Sequence, residues 1–139
     1  MIQRIQSVWL LAAAFCVGLT FKFPFYSGNK TPADASGEIK KIIASSNFLL
    51  LILSAILLAG CLYIIFLYKN RKLQLNLAIV TFAISIINII IYFAEIKKFS
   101  SGTISLTSIF VFVIPFFLFL AVRGIWKDKK LVKDLDRLR

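Results

Sequence analysis

Few residues of this chain are equipped for chemistry. Its 139 residues contain no histidine, which removes the commonest general base and the commonest metal ligand. Two cysteines, Cys16 and Cys61, stand far apart and form neither a CxxC pair nor a metal-type cluster. Counting about 1.5 Å per residue along helices places Cys16 about 6 Å further than Cys61 from the face that would hold the basic loop, which argues against a disulfide between them. Of six carboxylates, only Glu95 touches an apolar stretch, at its end, with Lys98 three residues on. That spacing reads as an ion pair at a membrane interface. A proton-coupled exporter needs an acid at depth, and the sequence supplies none. No catalytic set, cofactor motif or metal site is expected, and no nucleic-acid motif accompanies the basic charge.

The remaining polar residues are uncharged and fall at helical spacing. Thr81, Ser85, Asn88 and Tyr92 share one face, as do Asn47, Ser54, Cys61 and Tyr68, each seven apart. Ser7, Leu11, Ala14 and Gly18 form a third stripe. Such stripes are where membrane helices meet. Pro115 interrupts a helical pattern and frees the carbonyl of Val111. Asn88 and Pro115 both count to mid-bilayer, so Asn88 is expected to pack on the Pro115 helix and help satisfy that carbonyl. The intramembrane polar packing set is therefore Asn88, Ser85, Thr81, Ser54 and Pro115.

The elements that hold these residues are apolar and long. Hydrophobic residues make up 60% of the chain, against roughly half in soluble domains. Four stretches, about Ile5–Tyr26, Ser46–Tyr68, Leu77–Ile96 and Ile104–Trp126, each approach the ~20 residues that cross a bilayer. Residues 48–67 include fourteen Leu, Ile or Phe, about −4 to −8 kcal/mol of insertion free energy before the polar residues are counted. The expected fold is an all-α membrane protein: an antiparallel bundle of four transmembrane helices over residues 1–126, and a basic tail over 127–139 forming a short amphipathic helix.

Seventeen Lys and Arg against six Asp and Glu give a formal charge of +11. Arg4, Lys69, Arg71, Lys72, Arg123 and the six basic residues of the tail would lie on one side; Lys22, Lys30, Lys40, Lys41, Lys97 and Lys98 on the other. The excess predicts both termini in the cytoplasm. Arg4, Lys69, Arg71, Lys72, Lys127, Lys129, Lys130 and Lys133 are the expected contacts to an anionic inner leaflet. Trp9 and Trp126 would sit near the inner interface, Tyr26 and Tyr92 near the outer. The first stretch reads as a span rather than a cleaved signal, because Ala12-Ala13-Ala14 comes too early and the apolar run continues to Phe25. The lipobox-like Leu58-Ala59-Gly60-Cys61 lies deep in a span that enters from outside, the wrong direction for such a signal.

The loop SGNKTPADASGEIKK, rich in Gly, Ser and Pro, reads as a surface connection without its own fold. The short YKNRK loop makes spans two and three neighbours. Glu38-Ile39-Lys40-Lys41 and Glu95-Ile96-Lys97-Lys98 echo each other; coincidence is the simpler account. In the tail, Leu131, Leu135 and Leu138 with Val132 face away from the charges, which suits a helix lying on the inner leaflet or one docking a cytoplasmic partner.

The opening Met1-Ile2-Gln3-Arg4-Ile5-Gln6-Ser7, running straight into the first span, resembles a family of small bacterial four-helix inner-membrane proteins of unknown function. The resemblance implies a bacterial inner membrane and supplies no activity, ligand or catalytic residue. The expected role is a non-enzymatic scaffold or accessory subunit of a membrane complex, with anionic lipids and a larger protein assembly as partners. The alternative is a small transporter or lipid-binding protein using an uncharged cleft between helices. A continuous polar path through Thr81, Ser85 and Asn88 would favour it; a tight, dry bundle would not.

Overall fold

A computed structural model describes the backbone of residues 2–29, 40–67 and 70–137, and side chains within 6–28, 41–67, 70–100 and 102–131. Four α-helices carry the chain: α1 (Ile2–Thr20), α2 (Phe48–Phe66), α3 (Arg71–Ile96) and α4 (Ile109–Arg137). α1 packs on α2 and α4, and α3 packs on the same two. Three of the helices are long and apolar enough to cross a membrane, over Phe48–Phe66, Arg71–Ile96 and Leu106–Leu131; the apolar part of α1 described here, Gln6–Thr20, is shorter.

Three strands correct the all-α expectation. β1 (Tyr26–Asn29), β2 (Lys40–Ile42) and β3 (Ser101–Ile104) form an antiparallel sheet in the order β2-β1-β3. Tyr26 pairs with Ile42 on one side and Ile104 on the other. The first helix thus ends at Thr20, six residues before Tyr26. Phe21–Pro24 lead through turns into β1, and the described ends of the loop expected as a plain connection, together with the segment between α3 and α4, form a lid on one end of the bundle. Apolar residues anchor the lid: Phe25, Tyr26 and Ile42 are buried with Leu50, Tyr92 and Val111 in one cluster. Tyr26 and Tyr92, expected as interfacial anchors, are therefore core residues, at 7% and 0% exposure. The Phe25 and Tyr92 rings lie 4.6 Å apart. Gly102 has to be glycine, because a Cβ there would come within 2.6 Å of Gly28 Cα and of Ser27 O. The Glu-Ile-Lys-Lys echo is not structural: Lys40 and Lys41 belong to β2, whereas Ile96 ends α3 and Lys97 caps it; Glu38 and Ile39 lie outside the described residues.

A second, larger cluster fills the other half of the bundle, built from Leu10, Ala13 and Val17 of α1, Leu57, Cys61 and Ile64 of α2, Leu75 and Ala78 of α3, and Ile114, Leu118, Ala121 and Ile125 of α4. The stripe assigned to α1 lies only partly on its buried face: Ala14 is buried, at 8% exposure. Leu11 is 62% exposed and Gly18 has open space around it, while Gln6, Leu10, Ala13, Val17 and Thr20 point inward. α4 does not stop at Trp126. It runs unbroken through Pro115 and on to Arg137, so the tail is a continuation of the fourth helix rather than a separate one.

Candidate functional site

The polar residues singled out by spacing line the seam between α2 and α3. α3 buries Gln74, Thr81, Ser85, Asn88 and Tyr92, and α2 buries Ser54 and Cys61. One end of this α2–α3 seam is fixed by Asn47, whose Nδ2 donates to Glu95 Oε1 over 2.7 Å. Deeper, a Cβ on Gly60 would sit 3.2 Å from Thr81 Oγ1. Further on, Gln74 Nε2 donates to the Ile64 carbonyl. With the ends held this way, seven residues inward along each helix from the Asn47–Glu95 bond brings Ser54 level with Asn88. Tyr68, the last member of the α2 stripe, lies outside the described residues.

Two of these hydroxyls close on their own helix. Thr81 Oγ1 donates to the Leu77 carbonyl at 2.8 Å and Ser85 Oγ to that of Phe82 at 2.6 Å. Such back-bonding is how an isolated hydroxyl is accommodated in a membrane helix. The others behave differently. The Tyr92 hydroxyl sits beside the hydroxyls of Thr20 and Ser54, yet no hydrogen bond of ordinary geometry reaches it. Ser54 Oγ and Asn88 Oδ1 are equally buried and unpartnered. Thr20 Oγ1 donates to the Val17 carbonyl. Asn88 is buried as expected, at 3% exposure, but it faces this polar layer; no bond joins it to Val111, and Pro115 is only half-buried.

Above the layer, at the sheet end, lies a cleft of about 290 Å³ lined by Lys41, Ile42, Ser46, Asn47, Leu50, Glu95 and Phe99. The expected Glu95–Lys98 pair is present at 2.6 Å. Glu95 thus receives both Lys98 and Asn47 on one oxygen, Oε1. Spacing predicted the lysine, but the asparagine is a long-range partner that periodicity cannot reveal.

At the opposite end, Asp128 is buried and its carboxylate meets Arg71 at 3.7 Å. The contact joins a residue expected in a solvated tail to one expected at the lipid surface, and helical periodicity does not reveal it. Its one signal is position: Asp128 follows the buried Ile125 by one helical turn. Gln6 was also missed as an interior residue; its Cγ is 2.8 Å from where a Cβ on Gly124 would stand, and its Nε2 has no partner. Lys72, Lys127 and Lys130 are exposed and Lys129 is half-buried, whereas the side chains of Arg4, Lys69 and Lys133 lie outside the described residues. Cys16 and Cys61 are both free and buried. Among the described residues, no three His, Cys, Asp or Glu side chains gather as a metal site.

The family of a domain of unknown function, DUF4293, matches residues 2–138. This chain belongs to it. No curated protein and no solved structure is similar enough to match. For this DUF4293 chain, the match spans all four helices and the lid sheet together, the α4 extension to Arg137 included. Its apolar helices are compatible with a membrane protein.

Proposed function

We propose that the chain is a bacterial inner-membrane protein whose four helices cross the bilayer as an antiparallel bundle, with both termini cytoplasmic, and that it serves as a non-enzymatic accessory subunit of a larger membrane assembly. The observation that carries this reading is the course of α4. A helix lying on the membrane must turn where it leaves the bilayer, but α4 continues without interruption past Trp126. The Arg71–Asp128 contact holds it against the start of α3. About 14 Å of basic helix then stands beyond that contact, at 1.5 Å per residue. A projecting, charged rod is suited to contacting a cytoplasmic partner or an anionic surface, through Lys129, Lys130 and Lys133 with Lys127 at its base.

Transport through the bundle finds less support. Thr81 and Ser85 are satisfied by their own helix, and below Asn88 the interior is the apolar cluster around Leu57, Cys61 and Leu118. A lipid-binding role is the second reading. The cleft at the sheet end favours it, although that cleft has Lys41 and Glu95 in its wall and is not uncharged.

The test is purification of the tagged protein in a mild detergent, with mass measured by native spectrometry. A companion protein in fixed ratio, lost when residues 129–139 are removed, is the expected result. Recovery of the intact chain alone would overturn the subunit reading. Recovery alone with a fixed number of lipids, released by Glu95→Gln, would establish the second reading instead.

A further inference from the structure

We propose that the layer formed by Thr20, Ser54, Asn88 and Tyr92 is a water-binding site inside the bundle, filled from the sheet-end cleft past Leu50 and sealed on its other side. Three polar atoms from two helices, Ser54 Oγ, Asn88 Oδ1 and Tyr92 OH, are buried without a hydrogen bond of ordinary geometry, although the hydroxyls of Ser54 and of Thr20, from a third helix, lie close enough to interact with that of Tyr92. Their residues are 0%, 3% and 0% exposed. Leaving a buried polar group unsatisfied costs about 1–3 kcal/mol, so three together are a strong demand for a partner. A buried water characteristically makes about three hydrogen bonds to such groups. The Ser54 and Tyr92 hydroxyls can donate to it, and the amide oxygen of Asn88 can only accept from it.

The route in is short. Leu50 lines the cleft and packs with Tyr92 in the outer cluster; Ser54 follows it by one helical turn. One side chain therefore separates the cleft from the polar layer. On the far side, Leu57, Cys61 and Ile64 of α2 and Ile114 and Leu118 of α4 present only apolar surface and one thiol. The layer is accordingly open toward the cleft and closed toward Leu57 and Cys61.

Hydroxyl-radical footprinting of the full chain in lipid nanodiscs tests this, because radicals form from whatever water is in place. Tyr92 and Cys61 are each wholly buried, and a thiol is the more reactive of the two toward hydroxyl radical. The expected result is oxidation of Tyr92 with Cys61 spared. After a jump into oxygen-18 water, the heavy label should reach Tyr92 with a lag, and Leu50→Ala should shorten the lag; Leu50→Val serves if the alanine variant does not fold. Ser54→Ala should lower the Tyr92 yield several-fold in a protein whose melting midpoint is kept. A direct, dry network in which Tyr92 bonds Ser54 and Ser54 bonds Asn88 is the competing arrangement. It would leave Tyr92 as unreactive as Cys61, and that outcome overturns the proposal.

Discussion

Gln6 and Gly124 show how little room one contact between α1 and α4 has. A methyl group on Gly124 would stand 2.8 Å from Gln6 Cγ, closer than carbons approach. Gly18 on α1 has nothing within 4 Å of the same position. Gly124→Ala is thus expected to destabilise by about 1–3 kcal/mol, the range for overpacking. Gly18→Ala should be neutral or stabilising by up to about 1 kcal/mol, since alanine loses less backbone freedom than glycine in a helix. Thermal unfolding in detergent measures both, and Gln6→Ala should restore most of what Gly124→Ala loses. If the double variant is no better than the single one, the Gln6–Gly124 contact is not the cause. Burial of Thr81, Ser85, Asn88 and Ser54 was legible because each repeats at helical spacing along a longer apolar run. Gln6 and Asp128 were not, because each stands in a polar stretch, and the one cue to Asp128, its place one turn after Ile125, does not outweigh its charge. Asp128 yields a second expectation. Arg71→Ala removes the cation from a carboxylate whose side chain is only 9% exposed. Unpairing a buried charge is destabilising, but at 3.7 Å and with a third of the arginine exposed the loss should stay near 1–2 kcal/mol. Arg71→Lys should recover part of it, and equal stability of the alanine variant and the parent would mean that the pair is ornamental.

At the scale of elements, the apolar period was legible and the ends were not. Hydropathy locates α2, α3 and most of α4, because a bilayer-length run of Leu, Ile and Phe has few alternatives. It overextends α1 to Tyr26, since Phe21, Phe23 and Phe25 are as apolar in a turn as in a helix. Pro24, which has no N–H to give a helix, is the signal that was available. It also misses the sheet: strands of three or four residues are too short to show a period of two. The tail was read as a separate element because its composition changes at Lys127, yet backbone hydrogen bonding does not respond to composition at a membrane boundary. Helix α4 therefore makes a measurable claim. Spin labels replacing Ile109 and Arg137 in the reconstituted protein should be separated by about 42 Å along one helix of 1.5 Å rise. A tail turned onto the membrane at Trp126 would bring that distance to about 30 Å by the same rise. The longer distance supports a projecting rod; the shorter one removes the observation on which the subunit reading stands.

For the molecule as a whole, burial and charge have to agree on a single placement. Only 28% of Phe48–Phe66 is buried inside the fold, and its Phe48, Ile56, Tyr63 and Phe66 stand largely exposed. Water would leave that surface unsatisfied, whereas hydrocarbon accepts it. The lid sheet then has a physical reason. Backbone N–H and C=O groups at the level where helices end must be paired, and β1, β2 and β3 pair them between the end of α1, the start of α2 and the gap from α3 to α4. Gly102→Val should unpair β1 from β3, because the new side chain meets Gly28 and Ser27 backbone rather than a movable side chain. Amide exchange in Tyr26–Asn29 should rise while α3 and α4 remain protected. The proposed orientation of the lid rests on charge. Eleven of the seventeen cations belong to the end with the YKNRK loop and both termini, and the positive-inside bias is the argument for proposing that this end is cytoplasmic. A cysteine replacing Lys97, beside the lid, should react with a membrane-impermeant maleimide in intact spheroplasts, and one replacing Lys130 only after lysis. Cys16 and Cys61 are buried and should give little background. The reverse pattern would put the lid inside the cell and the α4 rod outside, and a cytoplasmic partner could then no longer be the rod's target.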